Sequence, residues 1–164
     1  MPLPKTIDFN EWFVIVSFIL SMIIIFRLPN RFPLSVIILL SLFASVIARL
    51  CDHLLAGPKF DFYDLMDTGK YDLFDLFTYF LYIPFIYLFI YFYDKWRLQG
   101  VRVLFYIIIC TFIGTTFEWI SSLFKVFNYK TWEISYSFTV YFVIQPITLL
   151  FFEFIKKHHK SYDN

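Results

Sequence analysis

The stretch Phe-Pro-Leu-Ser-Val-Ile-Ile-Leu-Leu-Ser-Leu-Phe-Ala-Ser-Val-Ile-Ala (32–48) decides the fold class. It runs without a charge until Arg-Leu-Cys-Asp-His (49–53) closes it. A bilayer hydrocarbon core of about 30 Å needs about 20 helical residues, so this run crosses a membrane once its polar flanks are included. Its apolar residues are continuous rather than alternating with period two, which points to a helix rather than a half-buried strand. In lipid every backbone N–H and C=O must be satisfied within the protein, and a helix does this by itself.

Four further uncharged runs occupy 12–26, 76–93, 103–117 and 134–152. Extended to membrane length, the five predict spans at about 9–28, 33–54, 74–95, 103–124 and 133–154. The expected fold is all-α: a polytopic bundle of five transmembrane helices forming a single domain over 1–164. Composition agrees. The chain is 60% hydrophobic and 16% charged, with a mean hydropathy of +0.68, whereas soluble domains carry roughly a quarter charged residues. A net charge of +1 gives no electrostatic case for nucleic acid. Two cysteines without a CxxC motif exclude a disulfide scaffold and a cysteine-ligated zinc.

The first run is expected to be a retained anchor rather than a signal peptide. Asp8 and Glu11 precede it, Arg27 and Arg31 follow it, and no small-residue cleavage site succeeds it. Five crossings place the two termini on opposite sides. The N-terminal side holds six basic residues, Lys70 among them, against ten acidic ones; the other side holds eight, Lys160 among them, against three. Lys and Arg near span ends set orientation, which predicts a cell-membrane protein with the N-terminus outside and the C-terminus cytoplasmic.

Small-xxx-small pairs occur at Ser17/Ser21, Ala44/Ala48 and Cys110/Gly114. Such pairs let helix backbones approach in lipid, so helices one, two and four are expected in mutual contact. Helices three and five, rich in Phe and Tyr, are expected around them facing lipid, with Phe89 on that lipid face. Gln145 is placed to satisfy the carbonyl that Pro146 frees. The segment Asp-Phe-Tyr-Asp-Leu-Met-Asp (61–67) lacks the order of a calcium loop and is expected along the interface, with Asp61, Asp64 and Asp67 in water.

Charges within spans are costly and need a reason. Arg49, Asp52 and His53 share one helical face at i, i+3 and i+4. With Glu11, Asp75 and Glu118, each from another helix, they make a polar cluster at the outer end. Arg49 and Glu118 stand at equal depth with Glu11 near them, and an Arg49–Glu118 ion pair is the expectation. A His/carboxylate set of Asp52, His53, Asp75 and Glu118 has the donor chemistry of a divalent-cation site. Neighbouring positions on a helix rarely ligate one ion, however, and His-Glu-x-x-His is absent, so no metal, cofactor or catalytic set is expected. The Lys-Lys-His-His-Lys tail (156–160) reads as a basic segment against anionic lipid.

Phe-Glu-Trp (117–119), Arg-Leu-Cys-Asp-His (49–53) and Tyr-Lys-Thr-Trp (129–132) give the chain a resemblance to small, uncharacterised five-pass membrane proteins of endospore-forming Firmicutes. That resemblance implies no activity. The Trp-x-Pro-Pro signature of the tryptophan-rich sensory proteins is missing. Two functional classes follow. The first is a non-enzymatic membrane subunit, partnered by the bilayer and by a membrane protein or a second copy of itself. The second is a solute or cation transporter or binding protein acting as an oligomer.

Overall fold

The computed structural model describes residues 8–66 and 73–159, without the side chains of 73–76. Five helices form the body: α1 (Phe9–Arg27), α2 (Leu34–Leu55), α3 (Leu73–Lys95), α4 (Val101–Leu123) and α5 (Ile134–His158). All five are long and apolar enough to cross a membrane. The all-helical bundle of five spans is as the sequence predicts. Helices α3 and α5 continue through Pro84 and Pro146.

Helix packing departs from the small-residue expectation. Helix α3 is the centre of the bundle and packs on α2, α1 and α4, while α5 packs along α4. Tyr87, Ile90 and Tyr91 of α3 lie in the core with Phe32, Val36, Leu40, Ile107 and Phe152. Phe32 meets Tyr87 and Phe152 edge-on, with centroids at 5.8 and 5.5 Å. Phe89 is not lipid-facing: it stacks on Tyr106 at 5.2 Å, and the Tyr106 hydroxyl donates to the Phe89 carbonyl at 2.6 Å. The outward faces carry aliphatic residues such as Ile19, Ile23, Leu39, Val46 and Ile109 together with aromatics, among them Phe105, Phe112 and, on α5, Phe142 and Phe154.

The reason lies in the solvent. Acyl chains are as apolar as Leu or Phe, so hydrophobicity alone does not choose which helix faces lipid. Tyrosine hydroxyls need partners, and aromatic edges and faces attract one another when packed; both draw α3 inward. Gly114, expected between helices one, two and four, faces α5, where an added Cβ would lie 3.6 Å from the Tyr141 ring. Helices α1 and α4 do touch, but through Phe13, which stacks on Phe124 at 4.6 Å and lies 5.8 Å from Phe117.

A short antiparallel ribbon joins two connections at one end. Strand β1 (Tyr63–Leu65) pairs with β2 (Phe127–Tyr129), with Tyr63 opposite Tyr129 and Leu65 opposite Phe127. The strand is a feature that the expectation of an interfacial segment over 61–67 did not include. Tyr63 and Leu65 are buried, as period-two geometry allows, while Asp64 points outward. Asp61 is exposed, as expected, and Asp64 partly so, and both pair with Lys130 at 2.7 and 3.0 Å; Asp67 lies outside the described residues. The ribbon is positioned by a Schellman-type end to α4, in which Lys125 and Val126 donate to Ser122 and Ser121. Lys125 adopts φ +59 there, a position glycine would occupy more easily.

Candidate functional site: two carboxylates beneath the ribbon

The side chains that matter converge under the ribbon. On α4, Glu118 is buried one and a half turns before the helix ends. Its Oε1 accepts from the Tyr129 hydroxyl at 2.7 Å and from the Ser137 hydroxyl, and its Oε2 accepts from the Tyr141 hydroxyl at 2.7 Å. Trp132 Nε1 donates in turn to Ser137 Oγ at 2.8 Å. One carboxylate therefore ties α4 to β2 and to two turns of α5.

On α2, Asp52 is 4% exposed and accepts from the Tyr63 hydroxyl at 2.6 Å. The Tyr79 hydroxyl lies alongside the same carboxylate. Asp52 and Glu118 stand within electrostatic range of each other, and Tyr82 is within range of both. Because Tyr63 and Tyr129 are register partners, the ribbon delivers one hydroxyl to each carboxylate from the same face. Burial foremost, then the charge of Asp52, raises the Tyr63 hydroxyl above the ordinary tyrosine range. Burial and then Glu118 do the same for Tyr129. Both phenols thus remain protonated donors at neutral pH.

The residues expected to cluster are divided by the structure. Asp52 and Glu118 come together. Arg49 does not pair with Glu118: its Nη1 donates to Tyr79 Oη at 3.1 Å, and its guanidinium lies 5.8 Å from that ring. The helix order explains this, since α2 packs on α3 while Glu118 is filled from β2 and α5. Arg49 still reaches the cluster, as one of the charges acting on Asp52. His53 is exposed on the last turn of α2. Glu11 is buried, but its carboxylate accepts from the Asp8 N–H at 2.8 Å in a capping box that opens α1. The side chain of Asp75 lies outside the described residues. No three His, Cys, Asp or Glu side chains converge among the described residues. Gln145 accepts from Thr111 Oγ1 at 3.3 Å, linking α5 to α4 in mid-bundle instead of serving the carbonyl before Pro146.

Sequence reasoning missed Tyr63, Tyr79, Tyr129, Ser137 and Tyr141. A signal was available for two of them. Ser137 and Tyr141 stand at i and i+4 on the span that follows Glu118, so one helical face of α5 presents two hydroxyls. No family model, characterised protein or solved structure matches this chain.

Proposed function

We propose that the chain is a non-enzymatic subunit of the cell membrane, with its N-terminus outside and its tail in the cytoplasm. Its ribbon-covered outer end is a rigid platform for a membrane-protein partner or a second copy. One observation carries this reading: Glu118 spends its carboxylate on three hydroxyls of the chain itself. Donors that a substrate or solute would use are engaged in fastening α4, α5 and β2 together. The proposed kinship with small five-pass proteins of endospore formers adds no activity to this reading.

The test is affinity purification of the intact chain from membranes in mild detergent, alongside the Tyr63→Phe/Tyr129→Phe double variant. A discrete co-purifying membrane protein or dimer is expected, weakened in a variant that still folds. Orientation is tested separately in a Cys51→Ala/Cys110→Ala background. Lys59→Cys should react with an impermeant thiol reagent on intact cells, and Lys157→Cys should not.

The alternative, an oligomeric cation or solute site, has one observation in its favour. Asp52 and Glu118 bring two carboxylates into mutual range beside Arg49. Saturable cation binding by the purified chain, lost in Asp52→Asn, would replace the first reading with the second.

A further inference from the structure

At the end opposite the ribbon, a cleft of about 620 Å³ opens between the α1–α2 connection, the α3–α4 turn and α5. Arg31 Nε and Lys156 Nζ both donate to Asp94, each at 2.7 Å and each to a different carboxylate oxygen. Asp94 thereby holds two cations side by side on the cleft wall. Arg97 lies two residues beyond α3 in a left-handed turn with φ +48, its backbone N–H bonded to the Asp94 carbonyl at 3.2 Å. Its side chain lines the same cleft, is exposed, and makes no ion pair or hydrogen bond with any described residue. With Glu153 as the second carboxylate, three cations face two anions across the cleft.

We propose that this cleft binds the phosphodiester headgroup of an anionic membrane phospholipid, with Arg97 as the principal contact. The surplus of one positive charge matches a phosphodiester, which carries one negative charge. A guanidinium presents paired N–H donors that fit two phosphate oxygens. Position favours a lipid over a soluble phosphate. The cleft sits where α3 and α5 end, at headgroup level, and the exposed Trp96 beside it has the amphipathic ring that membrane interfaces select. A volume of this size is typical of a small-molecule site. The other basic residues of this end, Arg27, Lys95, Arg102 and Lys157, raise the local concentration of anionic lipid without entering the cleft.

The experiment measures binding of a fluorescent short-chain phosphatidylglycerol to the purified, delipidated full chain in neutral detergent. Phosphatidylcholine serves as the zwitterionic comparison. Phosphatidylglycerol is expected to bind at least about tenfold more tightly, and Arg97→Gln to remove about tenfold of its affinity, as for a lost charge-assisted contact. Arg102→Gln, an exposed change at the same end but outside the cleft, should alter affinity less than about twofold, as for a screened surface charge. The Arg97 side chain bonds to no described residue, so an unchanged unfolding temperature should show that its variant is folded. Equal affinity for the two lipids would overturn the proposal, as would equal losses in Arg97→Gln and Arg102→Gln. Full displacement of the lipid by millimolar inorganic phosphate would overturn its assignment to a lipid.

Discussion

The two ends of the bundle solve the problem of charge near a membrane in opposite ways. Under the ribbon, buried carboxylates are surrounded by neutral hydroxyls: Glu118 by Tyr129, Ser137 and Tyr141, and Asp52 by Tyr63. At the other end Asp94 is surrounded by cations, Arg31 and Lys156, whose own side chains stay about one-third exposed at 34% and 38%. Hydroxyls on short, rigid tyrosine and serine side chains fix geometry, because few rotamers satisfy the bond. Long cationic side chains keep contact with water and tolerate movement. The ribbon end thus fixes its carboxylates through directed hydroxyl bonds, and the basic end through cations that stay in contact with water.

The largest test of that contrast is Glu118→Leu. It strands three hydroxyls at once, and a buried group left without its charged partner costs on the order of 3 kcal/mol. Thermal unfolding in detergent should show a large loss, which Glu118→Gln reduces because the amide keeps one acceptor oxygen. The counterpart, Asp94→Asn, should cost about 1 kcal/mol. Its effect should shrink in 0.5 M salt, whereas that of Glu118→Leu should not. Equal salt sensitivity at the two positions would break the comparison.

Next in size is Gly114. A Leu there would drive the Tyr141 ring, now 3.6 Å from the site of a Cβ, away from Glu118. Overpacking of this kind costs about 1–3 kcal/mol. Alanine meets Tyr141 at ordinary contact distance and favours the helix, so Gly114→Ala should be neutral or slightly stabilising. If alanine destabilises as much as leucine, helices α4 and α5 approach more closely than described.

Tyr63→Phe and Tyr129→Phe each remove one donor and sharpen the role of the ribbon. Losses of about 1–2 kcal/mol each are expected. Their double-mutant cycle should show non-additivity, since the two tyrosines face each other across the ribbon and serve neighbouring carboxylates. Strict additivity would mean that each hydroxyl acts alone.

The smallest effect belongs to the outer face of the ribbon. The hydrogen bonds that the exposed Lys130 ammonium donates to Asp61 and then Asp64 raise it above its ordinary value. Because the folded value is raised, its contribution is complete below the ordinary lysine pKa and is lost as pH rises through the raised value. Proteolysis within the ribbon connections should therefore increase at strongly alkaline pH, and Lys130→Ala should abolish that dependence while leaving neutral-pH stability close to wild type.

The amino-acid sequence determined the spans by itself. Backbone satisfaction in lipid leaves helices or a closed barrel, and five continuous rather than alternating apolar runs of near-bilayer length choose helices. The predicted 33–54 matches α2 (Leu34–Leu55) to one residue at each end. It also marked Asp52 and Glu118, since an ionisable group inside a predicted span is conspicuous whatever surrounds it.

The order of the helices belonged to the tertiary structure. Small residues suggested a bundle centred on helices one, two and four, but in lipid every apolar face is an acceptable exterior, so pattern alone does not rank them. The tyrosines of α3 decided the centre, by seeking partners that exist only once the other helices are in place. Who meets Glu118 was likewise invisible along the chain. Tyr129 reaches it because β2 pairs with β1 in a register that sets Tyr63 opposite, and that pairing joins segments more than sixty residues apart in the chain. The sequence could show which charges needed partners, and only the packing could choose hydroxyls over the arginine expected at the same depth.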